Sequence, residues 1–217
     1  MHDYQYVSKR QASPIRKEIE TLIHLVQKEV RTKFTFSYQF IGSASRNMIT
    51  EDKKSNTGFD FDVNIRVNDD DNDYTPKQIK TTLMTAFNKY NHLFQYDNCE
   101  DSKRVITIKV KDTKNSTILH SCDFAVVNDY VDDDGYDCQE FIYFNKNQNT
   151  YEWQEQPKSF YELPEKIEWC HNEGLWNAVR DLYIMKKNSN SDPHVKSRSI
   201  FAKTVHEICQ KYGYFKS

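Results

Sequence analysis

Residues 58–67, GFDFDVNIRV, alternate strictly between apolar or small and polar side chains. Successive side chains of an extended strand point to opposite faces. Phe59, Phe61, Val63, Ile65 and Val67 therefore share one face, and Asp60, Asp62, Asn64 and Arg66 the other. At a rise of about 3.3 Å per residue, Asp60 and Asp62 sit roughly 7 Å apart along the backbone, a spacing suited to sharing divalent cations. Taken alone the same alternation describes any half-buried strand with its polar side in water.

Two further stretches give the pair of aspartates a context. Residues 118–127, ILHSCDFAVV, form an apolar strand in which Asp123 stands among Cys122, Phe124, Ala125, Val126 and Val127. A carboxylate in so apolar a run is costly to bury unless it is paired or bound to a metal. Upstream, Phe34, Phe36, Tyr38 and Phe40 alternate along a strand that delivers the chain to Gly42-Ser43.

Together, Gly42-Ser43, Asp60/Asp62 and Asp123 resemble the signature of the nucleotidyltransferases of the DNA polymerase β superfamily: a Gly-Ser turn, an acidic-x-acidic strand and a third acid on a neighbouring strand. In layout the sequence is most similar to cyclic-oligonucleotide synthases and oligoadenylate synthases. The motifs span roughly residues 34–127. The segment between Ser43 and Asp60 is longer than usual for the family, and Asn47 stands where many relatives have Thr.

The resemblance implies an α+β fold, with a polymerase β-like core in which helices flank a mixed sheet, followed by a C-terminal helical region. The corresponding division is a catalytic core over residues 1–155 and a helical subdomain over 156–217 beside the nucleotide cleft. It also implies that Asp60, Asp62 and Asp123 are both the catalytic and the metal-binding residues, holding two Mg²⁺ or Mn²⁺ ions. Gly42 and Ser43 would cradle the triphosphate. In such relatives a helix-borne Lys and a Ser opening the next helix also reach the triphosphate; by position these are Lys186 or Lys187, and Ser197 or Ser199. A lysine pair at a helix end equally complements the helix dipole.

The expected function is metal-dependent transfer of a nucleoside monophosphate from an NTP to a hydroxyl acceptor with pyrophosphate release. The acceptor would be another nucleotide, giving a second-messenger type of product. An antibiotic or other small-molecule acceptor is one alternative. A catalytically idle module that binds nucleotide or a partner is another.

Composition narrows the field further. Thirty basic and 32 acidic residues leave a net charge of −2, so no global field favours a nucleic-acid partner. The first residues, MHDYQYVSKR, lack the apolar core of a signal peptide, and no apolar run approaches the ~20 residues of a membrane helix. A cytoplasmic protein is expected. The five cysteines form no C-x-x-C pair, and Cys170-His171 and His206-x-x-Cys209 do not complete a zinc spacing.

Along the chain, Ser13-Pro14 reads as a helix start, followed by an apolar stripe at Ile15, Ile19, Leu22, Ile23, Val26 and Val30. Residues 51–58 read as a charged loop ended by Gly58, and 68–74, NDDDNDY, as a solvated acidic turn without the calcium-loop pattern. Thr75-Pro76 opens a second helix. Residues 104–110 and 118–127 are expected to form a hairpin, and 141–153 a second one. From Pro157 on the pattern is helical, with a segment opening at Leu163-Pro164, another ending at Lys186-Lys187-Asn188, and a last helix stopped by Gly213.

Overall fold

A computed structural model describes residues 2–69, 71–157 and 159–214. The chain divides into two compact units, one of residues 7–49 and 56–156, the other of residues 1–6, 50–55 and 157–217.

The larger unit is built on a mixed sheet. In spatial order its strands are β2 (Thr35–Ile41), β4 (Thr57–Asn68), β7 (Thr117–Val131), β6 (Ile106–Asp112) and β5 (Glu100–Asp101). Beyond this path, β8 (Asp137–Asn145) pairs with the far end of β7, and β9 (Thr150–Glu155) with β8. The central pair, β4 with β7, is parallel, whereas β2 with β4 and β6 with β7 are antiparallel. Both expected hairpins form, as β6–β7 and β8–β9.

Helices α1 (Lys9–Val30) and α3 (Pro76–Tyr90) bury their apolar stripes in the same core as one face of the sheet. Ile19, Leu22, Ile23 and Val26 are completely buried, as are Leu83 and Phe87; Phe61, Val63, Ile65, Ile106, Ile108 and Phe124 supply the sheet side. The Phe87 and Phe124 rings lie 4.4 Å apart between centroids. This is the apolar half of the alternation in β4, and its burial fixes which way the aspartates face.

Helix α1 begins earlier than Ser13-Pro14. Ser8 is the N-cap, with a reciprocal capping box to Gln11, and Pro14 lies inside the helix. Its missing N–H forfeits one bond in the second turn, which the cap and the buried stripe downstream outweigh. Thr75 caps α3 in the same way through Gln78, with Pro76 at the first helical position. Lys80 of α3 is buried and donates to the Ser102 carbonyl at 2.8 Å while pairing with Asp101 at 2.7 Å. Tyr151 of β9 donates to the other oxygen of Asp101, so one carboxylate ties α3, β5 and β9 together. Burial pushes the Lys80 pKa down and Asp101 opposes that shift.

The smaller unit joins α4 (Ser159–Asn172), α5 (Trp176–Ser189) and α6 (Ser197–Tyr212) to a two-stranded ribbon of β1 (Tyr4–Tyr6) and β3 (Thr50–Asp52). Pro164 lies inside α4 instead of opening it, and Gly213, with φ of 82°, ends α6 in the left-handed conformation that favours glycine. Tyr4–Tyr6, to which the sequence assigns no element, and Thr50–Asp52, which overlaps the expected loop, thus supply the two strands of the ribbon. Asp52 secures them: it accepts from the Asp3 amide at 2.9 Å and the Lys54 amide at 3.1 Å, and pairs with His2 at 2.6 Å. Among the described residues no helix is long and apolar enough to cross a membrane.

Gly58 is not a loop terminator but part of β4. A Cβ there would overlap the Leu119 carbonyl of β7, a backbone group that cannot yield, so only glycine permits this approach. Gly58→Ala should lower unfolding free energy toward the upper part of the ~1–3 kcal/mol range for overpacking, read by urea denaturation.

Asp52 yields a pH-dependent prediction. Burial raises its pKa, but the Asp3 amide, His2 and the Lys54 amide outweigh burial and hold it below the usual value. Its stabilisation should be complete above about pH 4, the unfolded aspartate value, and fade as pH falls through the lower folded value. Asp52→Asn should therefore reduce the melting temperature at neutral pH, and the gap to wild type should close on acidification.

Candidate active site

The parallel register of β4 and β7 sets Asp62 directly beside Asp123, and Asp60 beside Ser121. On the far side of β7, Thr107 of β6 lies opposite Asp123 and Lys109 opposite Ser121. Glu100 of β5 in turn lies opposite Thr107. Directly opposed residues in a sheet project to the same face. Asp62, Asp123, Thr107 and Glu100 thus form one row across four strands, with Asp60, Ser121 and Lys109 in the next. The face carrying these rows is the one turned away from α1 and α3, so Asp60 is exposed and Asp62 and Asp123 half-buried.

The phosphate-cradle candidate lies against the same row. Ile41, the last residue of β2, pairs with Asp62, and the chain then turns through a single helical turn, α2 (Gly42–Ser45). Gly42 has φ of 61°, and a Cβ on it would overlap Asp62 Oδ2. The backbone angle favours glycine here, and any side chain would also have to displace the Asp62 carboxylate. The Ser43 carbonyl accepts from the Met48 amide at 2.9 Å, closing the turn, and Asn47 takes a φ of 54°, a conformation asparagine tolerates better than threonine.

The electrostatics are those of gathered like charges. Burial raises the pKa of Asp123; the Thr107 hydroxyl, donating to its Oδ1 at 2.6 Å, opposes that rise, while Asp60 adds to it. Cys122, completely buried on the opposite face, has its thiol pKa pushed well up by burial and then by Asp123, Asp62 and Asp60. One buried thiol thus feels the negative potential of all three acids.

Among the described residues no three His, Cys, Asp or Glu side chains are already drawn into a single coordination sphere. The backbones place Asp62 and Asp123 on neighbouring strands, about 4.8 Å apart, and Asp60 two residues along. Carboxylates at such spacing repel one another, and a divalent cation would offset that repulsion. The donor set, carboxylate oxygens without thiolate or imidazole, suits Mg²⁺ or Mn²⁺. On donor chemistry and backbone placement the residues fit that ion.

Gly42, Ser43, Asp60, Asp62 and Asp123 all belong to the larger unit, whereas Lys186, Lys187, Ser197 and Ser199 belong to the smaller. Lys186 pairs with Glu207 of α6. Lys187 is buried, donates to Thr50 Oγ1 at 2.7 Å and lies 3.8 Å from the Tyr4 ring centroid, holding α5 to the ribbon. Ser197 and Ser199 are exposed in the first turn of α6. Thr107 and Glu100 are the members of the acidic row that the sequence did not disclose; a threonine in ITIKV is what any strand would carry.

No family model and no curated protein matches the sequence. Solved structures match it in fold. The STING-associated CdnE c-di-GMP synthase of Capnocytophaga granulosa superposes on 98% of this chain and 64% of its own, with a TM-score of 0.58 and 19% identity. The GTP-bound form of Vibrio cholerae DncV does so over 88% of this chain and 50% of its own, with a TM-score of 0.55 and 14% identity. For the Rhodothermus marinus CdnE c-UMP-AMP synthase the figures are 88%, 68%, 0.54 and 13%. The chain spans about half to two-thirds of the length of these structures. The likeness is one of fold: the polymerase β-type nucleotidyltransferase fold that the Gly-Ser and aspartate pattern implies.

The Gly42 contact makes a stability prediction. Gly42→Ala should cost about 1–2 kcal/mol from the left-handed backbone alone, plus the overlap with Asp62. In urea unfolding, Asp62→Ala should relieve the second part, giving a coupling of about 1 kcal/mol in the double-mutant cycle.

Proposed function

We propose that the protein is a metal-dependent nucleotidyltransferase that moves a nucleoside monophosphate from an NTP to a hydroxyl of a second nucleotide, releasing pyrophosphate in the cytoplasm. The observation that carries this reading is the register that sets Asp62 beside Asp123, with the Gly42 turn pressed against Asp62. A nucleotide acceptor is favoured because the structures sharing this fold include synthases of c-di-GMP, c-UMP-AMP and cyclic AMP-GMP, one in complex with the linear intermediate pppA(3′,5′)pG.

In this reading Asp60, Asp62 and Asp123 hold two divalent ions. Mg²⁺ there supplies charge neutralisation for the triphosphate and pyrophosphate and lowers the pKa of the attacking hydroxyl. The rest is the work of the chain. The Gly42 turn, with no side chain of its own, admits the polyphosphate next to Asp62, and the Ser43 hydroxyl donates to it. Asp123 receives the acceptor's proton as the new O–P bond forms and the α–β phosphoanhydride bond breaks. Holding both nucleotides on one rigid sheet face converts a two-body encounter into an oriented reaction.

The test is to incubate the protein with Mg²⁺ or Mn²⁺ and each NTP, singly, in pairs and with small-molecule hydroxyl acceptors, then separate the products. Linear or cyclic oligonucleotides with stoichiometric pyrophosphate are expected, and Asp62→Ala should abolish both. Transfer to a small molecule alone would replace the nucleotide acceptor. NTP that binds yet stays intact under every condition would overturn the enzymatic reading in favour of a nucleotide-binding module.

A further inference from the structure

We infer that Thr107 is a positioning residue for Asp123, fixing the carboxylate so that Oδ1 is held by the protein and Oδ2 is left for the cation; this rests on the metal-dependent reading above. Thr107 lies directly across from Asp123 in the β6–β7 register and is 7% exposed. Its hydroxyl donates to Oδ1 at 2.6 Å. A hydroxyl-to-carboxylate bond of that length is charge-assisted and among the stronger hydrogen bonds a protein makes.

Three features make the contact more than incidental. An aspartate carboxylate rotates broadly about its last torsion, so its two oxygens are interchangeable until one is engaged. Threonine is stiff at χ1, and Thr107 is itself buried, so its hydroxyl has little freedom to leave. Lys109, next along the same face of β6, pairs with Glu100 at 2.6 Å, so a cationic side chain is held beside the row. Thr107 is a neutral donor on Asp123, so it orients the carboxylate without itself adding a positive charge. Groups that orient metal-ligating carboxylates typically change metal affinity about 10–100-fold when removed.

The experiment is Mn²⁺ titration, following free Mn²⁺ by electron paramagnetic resonance, with and without a non-hydrolysable ATP analogue. Wild type, Thr107→Val, Thr107→Ser and Asp62→Ala are compared, each with its metal-free melting temperature. Thr107→Val keeps the shape and should weaken Mn²⁺ binding about 10–100-fold, while the metal-free melting temperature falls only by the loss of one hydrogen bond and the fold is kept. Thr107→Ser, which keeps the hydroxyl, should recover most of the affinity. If the Val form does not fold, Thr107→Ala carries the same comparison. Equal Mn²⁺ affinity in wild type and the Val or Ala form, or no recovery with Ser, overturns this inference alone. A wild type that binds no Mn²⁺ overturns it together with the metal-dependent reading.

Discussion

The parallel pairing of β4 with β7 is the interaction on which the site depends. It is the one contact that converts two acidic positions some sixty residues apart into neighbours, because register in a sheet fixes both lateral spacing and face. A slip by one residue would turn Asp60 and Asp62 into the core and Phe61 and Val63 into water. The buried aromatic and aliphatic row against α1 and α3 forbids that slip, so the hydrophobic core and the acidic face are two consequences of one alternation.

Two glycines let this pairing coexist with its surroundings. Gly58 permits the backbones of β4 and β7 to come together at the start of the strand, and Gly42 permits the end of β2 to turn back against Asp62. A side chain at Gly58 would meet the backbone of β7, and one at Gly42 the Asp62 carboxylate. The positive φ values at Gly42 and Asn47 bracket the short helical turn and keep it compact. The acidic row has a further member in Thr107, whose hydroxyl is the donor held against Asp123. Like-charged aspartates are thus kept close by backbone pairing, and a neutral hydrogen bond orients the third of them.

Much of the local structure was legible from spacing. The alternation in GFDFDVNIRV, the Thr75-Pro76 helix start, the two hairpins and the Gly213 stop all follow from periodicity and turn chemistry within a few residues. The misreadings share a cause. Ser13-Pro14 and Leu163-Pro164 carry strong local start signals, yet both prolines lie inside helices that begin further upstream, at Lys9 and Ser159. Glu51 and Asp52 fell within a segment read as loop, because three residues cannot display a period; pairing of Thr50–Asp52 with Tyr4–Tyr6 makes them a strand.

The sequence by itself determined which faces are apolar, where the acids lie along each strand, and that a small residue precedes the first of them, since these depend only on side-chain order and the two-residue repeat of an extended chain. Tertiary structure alone decided that β4 and β7 run parallel with Asp62 beside Asp123, that Gly58 and Gly42 are needed for space, that Thr107 holds the third carboxylate, and that residues 1–6 and 50–55 join the C-terminal helices. These are long-range facts, set by which surfaces must be buried against one another, and no local pattern encodes the partner a strand will find.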